Sequence, residues 1–119
     1  MGTVFNDAII VTGQPKDVEA AYLHAVELGL RVTNVVPHAI NGKCTFLIVP
    51  DGSKLGWDEH LTYCYLRAQW KNWAIAEKSR AFTAPYPKDA VVVQWVHVQY
   101  GDDMERPEIL DSSDHGEDE

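Results

Sequence analysis

Two histidine–cysteine pairs are the residues of this chain whose types and spacing could support chemistry. His60 and Cys64 lie four residues apart, which places both on one face of a helix. A histidine beside a cysteine can act as the base that activates a nucleophilic thiol. His38 and Cys44 lie on either side of Asn41-Gly42, and the four side chains together have the ligand types of a zinc site.

The surrounding residues argue against both kinds of site. Reactive cysteines lie at helix N-termini or beside positive charge, whereas Cys64 follows the acidic residues Asp58 and Glu59. Neither pair has the two-residue spacing typical of zinc motifs. The segment 51–54 lacks the glycine pattern of a phosphate-binding loop. We therefore predict no catalytic residue, no metal ligand and no cofactor, and interpret the chain as a non-enzymatic protein.

The net charge of the chain is concentrated at its C-terminal end. The 119 residues include 18 acidic and 10 basic side chains, which gives a formal net charge of −8. Residues 1–101 contain nine of each, so residues 102–119, with nine acidic side chains and Arg106, carry the whole net charge. We predict one compact domain over 1–101, because this length holds a single core. Residues 102–119 are predicted to be a disordered acidic tail, because they contain little apolar surface.

Composition also argues against several classes of protein. Direct nucleic-acid binding needs a clustered basic surface, and the basic residues here are dispersed. No apolar run reaches the roughly 18 residues of a membrane span, and the N-terminal residues lack the basic and apolar regions of a signal peptide. Two cysteines are too few for a disulfide framework. The expectation is a cytoplasmic protein with free thiols that binds neither membranes nor nucleic acid directly.

The elements that must position these side chains follow the order β-α-β-β-α-β. Periodicity and turn residues predict strands over 8–12, 31–36, 43–49 and 90–100, and helices over 15–28 and 57–78. Gly29 suits the left-handed position that ends the first helix, and Asn41-Gly42 predicts a hairpin. This order is the ferredoxin-like pattern. We therefore predict an α+β fold in which a four-stranded antiparallel sheet has two helices on one face.

The second predicted helix has more apolar surface than one buried face requires. Its two stripes are Trp57, Leu61, Cys64, Ala68 and Ile75, and, as the aromatic stripe, Tyr63, Leu66, Trp70 and Trp73. A sheet can cover only one of them, and tyrosine and tryptophan are typical of binding hot spots. We predict that the aromatic stripe binds a protein partner. The alternative is that the first helix and the 82–88 loop cover it.

Two further segments are predicted to bind a protein partner. The first is Trp95 in the last strand, because an open sheet face would expose its ring; the third strand lacks the basic and aromatic residues of an RNA-binding sheet. The second is the acidic tail, with the residues Glu105, Glu108, Ile109, Leu110 and Asp111. An acidic peptide of this kind docks on a basic groove and gains association rate from electrostatic steering. The alternative is a tail that only confers solubility.

Two short motifs resemble segments of small uncharacterised proteins of tailed phages. They are Pro-Asp-Gly-Ser-Lys-Leu-Gly-Trp over 50–57 and Trp-Val-His-Val-Gln-Tyr-Gly-Asp-Asp over 95–103, within a looser resemblance over 8–103. The resemblance implies a phage accessory protein that acts by binding in the host cytoplasm, and it transfers no catalytic residue. We predict a protein that binds a host nucleic-acid-binding protein by mimicking nucleic-acid charge. The alternative is a small homo-oligomeric domain, such as a homodimer, with an inert tail.

Overall fold

A computed structural model describes residues 5–54, 56–101 and 106–113. Its elements are β1 (Phe5–Gly13), α1 (Pro15–Leu28), β2 (Val36–Pro37), β3 (Cys44–Ile48), α2 (Asp58–Ala81), β4 (Gln94–Gly101) and β5 (Glu108–Ser112). The predicted α+β class is confirmed, and the first six elements follow the predicted order. Gly29 has φ 94° and its N–H donates to the carbonyls of Ala25 and Val26, so α1 ends as its glycine predicts.

The described strands form one antiparallel sheet in the order β2-β3-β1-β4-β5. The central strand β1 pairs with β3 on one side and with β4 on the other. Both helices cover the same face of the sheet, where Ile9, Val11 and Phe46 are buried. The prediction of four strands is wrong, because β5 adds a fifth strand beyond β4.

The predicted strand over 31–36 forms only in part. Its ladder is limited to Val36–Pro37, and an isolated bridge joins Val32 to Ile48. Thr33 donates its N–H to the Leu47 carbonyl, and its hydroxyl accepts the Leu47 N–H. Because Pro37 has no N–H to donate, β2 is a short and weakly paired edge of the sheet.

Trp70 lies at the centre of the core between α1 and β4. Its side chain is fully buried, and its indole N–H donates to the Ala21 carbonyl at 3.1 Å. The Trp70 and Trp95 rings meet edge to face at a centroid distance of 6.2 Å. The burial of Trp95 corrects its prediction as a partner-binding residue: its ring points toward the helices and not toward the open face.

The aromatic stripe of α2 also faces the core, whereas the prediction placed it on the surface that a partner contacts. Tyr63, Leu66 and Trp73 pack partly buried against the core, and the Trp73 ring stacks on His24 of α1 at 4.3 Å. The predicted partner surface is therefore largely a packing surface, and α1 covers it. The aromatic side chains face inward because they bury more apolar area than the Leu61 and Ile75 stripe.

The segment predicted as a disordered tail contains β5. Ser113 donates its N–H to the Trp95 carbonyl at 2.9 Å, and Trp95 donates its N–H to the Ser113 hydroxyl at 3.1 Å. The prediction of disorder is therefore wrong for 108–112. The prediction used only the composition of the segment. It took no account of the unpaired backbone groups at the edge of β4, with which residues 108–112 pair. Glu105 and the rest of 102–105 and 114–119 lie outside the described residues.

Candidate functional site

A chain of buried polar side chains runs between α2 and the sheet. Asp7 occupies a core-facing position of β1, where the alternation of Ile9 and Val11 would place another apolar residue. Its register partner Gln99 and the nearby His97 project from β4 on the same face. Arg67 enters from α2 with only 2% of its surface exposed. Three elements that are distant in the sequence, β1, α2 and β4, therefore meet through charged and polar groups instead of apolar ones.

Asp7 is the acceptor at the centre of this network. Its Oδ1 lies 2.9 Å from His97 Nε2 and 3.2 Å from Gln99 Nε2, and its Oδ2 lies 3.6 Å from an Arg67 nitrogen. Burial alone would raise the pKa of Asp7, but the His97 hydrogen bond and the Arg67 charge outweigh it and hold the pKa below its usual value. Asp7 is therefore an ionised buried carboxylate.

Lys71 fixes the protonation pattern of His97. The Lys71 Nζ lies 2.9 Å from His97 Nδ1, and an ammonium group can only donate. Nδ1 therefore accepts, and Nε2 carries the proton that it donates to Asp7. Lys71 also lies 3.8 Å from Asp111 Oδ2, so the network continues to β5.

The other end of the network is the turn that follows β3. Arg67 donates to Asp51 Oδ1 at 2.7 Å, and Asp51 Oδ2 accepts from the Ser53 N–H and from its hydroxyl. Burial raises the pKa of Asp51, but these Ser53 and Arg67 hydrogen bonds outweigh it and leave the pKa below its usual value. The guanidinium of Arg67 is thus shared by two carboxylates, one on β1 and one on the turn.

The structure brings His60 and Cys64 together, as their spacing indicates. The His60 Nε2 lies 3.5 Å from Cys64 Sγ, while His60 Nδ1 lies 3.4 Å from the Ser53 hydroxyl. Arg67 donates to the same sulfur at 3.3 Å. The guanidinium that contacts this thiol also pairs with the Asp7 and Asp51 carboxylates, which offset its positive charge.

The second histidine–cysteine pair lies elsewhere. Cys44 is buried in β3, and His38 Nε2 lies 2.6 Å from the Thr45 hydroxyl. His38 Nδ1 lies 3.2 Å from Asn41 Oδ1 in the hairpin. The His38 side chain therefore connects the two sides of the predicted hairpin by hydrogen bonds. Within 5–54, 56–101 and 106–113, no three histidine, cysteine or acidic side chains are placed to share a metal ion.

The network acts mainly by positioning structural elements. Every buried side-chain nitrogen and oxygen among the described residues has a hydrogen-bond partner. The contacts of Arg67 and Lys71 connect α2 to β1, to the turn, to β4 and to β5. Sequence reasoning missed Asp7, Arg67 and His97. The available signal was Asp7, a polar residue at a core-facing position of β1. Such a signal does not indicate which distant side chain forms a hydrogen bond or ion pair with it.

Two exposed surfaces flank this network. The first, called here the outer face of α2, consists of Trp57, Leu61, Tyr65, Ala68, Asn72 and Ile75. Leu61 exposes 63% of its surface and Tyr65 exposes 62%. Five of these six residues are apolar, Asn72 being the exception, and exposed apolar residues grouped in this way are typical of a surface that binds another protein.

The second surface is β5, called here the acidic edge strand. Ile109 is 71% exposed, and Glu108 and Leu110 are also exposed. Asp111 instead turns toward Lys71, and its Oδ1 accepts the Ser112 N–H at 2.9 Å. Of the predicted tail residues, three therefore remain available to a partner and Asp111 is used internally.

A cavity of about 430 Å³ separates the acidic edge strand from the C-terminal half of α2. Trp95, Val93 and Ala74 form part of its apolar lining, while Lys78 and Asp111 are its charged residues. Lys78 donates to the Ser113 carbonyl at 3.1 Å. Beside the cavity, two lysines of α2 connect it to the β5 segment. Lys71 contacts Asp111, and Lys78 contacts the Ser113 carbonyl.

Comparison with protein-family models, with curated proteins and with solved structures finds no match to this chain. Neither of the two described helices has the length and apolar content to cross a bilayer.

Acid is expected to weaken the fold through Asp7 and Asp51. Their folded pKa values lie below the unfolded value of about 4, so the stability they contribute is present above that pH. This stability is lost as the pH falls through the folded pKa values. Urea unfolding of the wild type from pH 7 to pH 3 should therefore show the steepest loss below about pH 4.

Asp7→Asn should be less stable than the wild type at pH 7 and should depend less on pH below 4. Glu19→Gln, at an exposed carboxyl on α1, is the matched control and should follow the wild type. Parallel pH profiles for Asp7→Asn and the wild type would contradict the assignment.

Proposed function

We propose that this protein is a non-enzymatic binding protein that engages a basic protein partner through its acidic edge strand. The observation that carries the proposal is the placement of Glu108, Ile109 and Leu110 on an ordered and exposed strand at the edge of the sheet. An ordered strand presents its side chains without the entropic cost of folding a peptide on binding.

Charge and apolar contact have separate roles in this binding. Residues 102–119 carry nine acidic side chains, which attract a basic surface over a distance set by the ionic strength. Ile109 and Leu110 supply apolar area at short range, where close packing determines the dissociation rate. A partner with a basic groove lined by some apolar residues fits both features.

The partner contacts side chains and does not extend the sheet. The ladder between β4 and β5 shifts register between His97 and Val98, which leaves Leu110 as an extra residue in a bulge. The Ser112 N–H is already occupied by the Asp111 carboxylate. Bulges and blocked donors are devices that protect sheet edges from strand addition.

The class of partner follows from the acidic charge and the phage resemblance. The nine acidic side chains within the sequence 102–119 give this segment a negative charge density like that of nucleic acid, so the groove it fits is one that binds nucleic acid in the host cell. The connectivity of β1 to β4 supports a ferredoxin-like framework that displays this strand. A phage accessory protein in the host cytoplasm that occupies such a groove accounts for both the fold and the charge.

Affinity capture with charge and apolar variants tests this proposal. Wild-type protein, Glu108→Lys and Ile109→Ser are used as baits in a bacterial lysate at 50 mM and 500 mM salt. We expect the wild type to retain a basic nucleic-acid-binding protein at low salt and to lose it at high salt. Glu108→Lys and Ile109→Ser should each retain at least tenfold less of this protein than the wild type does. The first variant reduces the negative charge, and the second removes apolar contact area.

Glu59→Lys is the matched control, since it makes the same charge change on the first turn of α2. It should retain the partner almost as well as the wild type. The purified partner should also release a fluorescent DNA duplex when the wild type is added. Equal retention by the wild type and Glu108→Lys, or a captured protein that keeps its DNA, would contradict the proposal.

A further inference from the structure

His97 is a buried titratable side chain whose two ring nitrogens face groups of opposite charge. Its Nε2 donates to Asp7 Oδ1 at 2.9 Å, and its Nδ1 accepts from the Lys71 ammonium at 2.9 Å. We propose that proton uptake by His97 moves Lys71 from this histidine to Asp111, and that β5 is therefore attached to the sheet more tightly in mildly acidic than in neutral solution. This inference concerns the attachment of β5 and does not depend on the proposed function.

The contact between Lys71 and His97 exists only while the imidazole is neutral. A neutral imidazole has one ring nitrogen that accepts a hydrogen bond, whereas an imidazolium donates from both nitrogens. Because Nε2 already donates to Asp7, an added proton binds to Nδ1, which is the atom that Lys71 approaches. An ammonium group cannot accept, and two positive groups at this distance repel each other. Protonation of His97 therefore breaks its contact with Lys71.

Asp111 is the group that receives the released lysine. The Lys71 Nζ lies 3.8 Å from Asp111 Oδ2, so a small movement of the lysine side chain brings the two atoms within hydrogen-bond distance. The other oxygen of this carboxylate accepts the Ser112 N–H at 2.9 Å, and the approach of Lys71 to Oδ2 leaves that bond intact. The lysine and the aspartate expose only 17% and 29% of their side chains, so solvent screens this pair incompletely.

Charged groups from three elements surround His97. Among the described residues, the charged side chains that contact His97, Asp7 or Lys71 are Asp7 of β1, Arg67 and Lys71 of α2, and Asp111 of β5. Asp111 is also the partner of His97 in the strand ladder, and it moves away when β5 leaves the sheet. An attached β5 keeps this negative charge near the imidazolium and stabilises it. By linkage, proton uptake favours the attached strand.

The pH range of the effect differs from that of the acid-sensitive carboxylates. Histidine is the residue type that changes charge between pH 5 and 8. This range lies above the one in which loss of the Asp7 and Asp51 charges weakens the fold. A comparison between about pH 7.5 and pH 5.5 therefore follows the imidazole without that loss.

Nitrogen NMR of the His97 ring tests the starting arrangement. At about pH 7.5 we expect Nε2 to carry the proton and Nδ1 to carry none, and at about pH 5.5 we expect both nitrogens to be protonated. A ring with its single proton on Nδ1 at pH 7.5, or one that stays neutral at pH 5.5, would overturn the proposal.

Amide hydrogen exchange tests the attachment of β5. The Ser113 N–H donates to the Trp95 carbonyl, and its exchange rate relative to the intrinsic rate at each pH reports how often this end of β5 opens. We expect the protection factor to be about two- to fivefold higher at pH 5.5 than at pH 7.5, which is the effect of a partly exposed ion pair. Asp111→Asn should abolish this rise, because the amide attracts neither His97 nor Lys71 by charge.

Three further variants identify the groups responsible. Glu108→Gln is the matched control, since it removes an equal charge from an exposed position of the same strand and should keep the full rise. His97→Gln should abolish the rise, because glutamine does not titrate, and Lys71→Met should reduce it by at least half. Circular dichroism checks that each variant is folded. A constant wild-type protection factor, or the full rise in His97→Gln, Asp111→Asn or Lys71→Met, would contradict the inference.

Discussion

Replacing Arg67 with methionine is expected to lower the unfolding free energy by about 3–5 kcal/mol. The methionine fills much of the space of the arginine stem, but it leaves the buried carboxylates of Asp7 and Asp51 without their shared cation. An uncompensated charge in a buried site costs far more than the original pair contributes. Urea unfolding at pH 7, followed by circular dichroism, measures the loss.

Two controls distinguish the effect of leaving buried carboxylates unpaired from the effect of removing any arginine. Arg80→Met changes an exposed arginine of the same helix that pairs with Glu77 and Asp89, and it should lower the unfolding free energy far less than Arg67→Met does, because water screens exposed ion pairs. Combining Arg67→Met with Asp7→Asn and Asp51→Asn removes the unpaired charges and should recover part of the lost stability. An Arg67→Met protein within 1 kcal/mol of the wild type would show that the network is not a buried charge system.

Trp70→Ala is expected to destabilise the protein by about 3–5 kcal/mol, because it opens a cavity at the centre of the core. Trp70 is fully buried against Trp95 and Trp73. Trp70→Phe should cost less, on the order of 1–2 kcal/mol, since it keeps much of the packing but removes the hydrogen bond to Ala21. Urea unfolding with near-ultraviolet circular dichroism follows both the stability and the packing of the rings.

Leu61→Ala is the matched control for the orientation of α2. Leu61 is an exposed side chain on the same helix, so its loss should cost less than about 0.5 kcal/mol in dilute protein. The comparison therefore tests which stripe of α2 faces the core. If Leu61→Ala were as destabilising as Trp70→Ala, the assignment of the inner and outer faces would be wrong.

The polar network connects these stability predictions to the two exposed surfaces. Arg67 and Lys71 hold α2 against β1 and β4, and Lys71 also reaches Asp111 of the acidic edge strand. The orientation of α2 exposes its outer face, and the Asp111 contact leaves Glu108 and Ile109 turned outward. Changes in the network should therefore disturb both surfaces indirectly, which is why the binding tests use exposed residues instead.

Several elements could be predicted because local chemistry decides them. The β-branched run in β1, the apolar spacing of α1 and the glycine that ends it all act within a few residues of one another. The contact between His60 and Cys64 also follows from the four-residue spacing on a helix. For these features the amino-acid sequence by itself was sufficient.

The network could not be predicted from local spacing. Asp7 and His97 are 90 residues apart, and Arg67 meets Asp51 across 16 residues and a change of element. Burying a polar side chain of a strand is costly unless a specific distant group forms a hydrogen bond or an ion pair with it. The sequence contains each member, but only the tertiary structure shows that these members pair with one another.

The two apolar stripes of α2 and the C-terminal acidic segment show the same division. Helical periodicity identified both stripes, and the charge count identified the acidic segment, from the amino-acid sequence alone. Only the tertiary structure decided that Trp70 faces the core while Leu61 faces outward, and that residues 108–112 form a strand on β4. The physical reason is that periodicity and composition describe one segment at a time, whereas burial and strand pairing are free energies shared with a partner elsewhere in the chain.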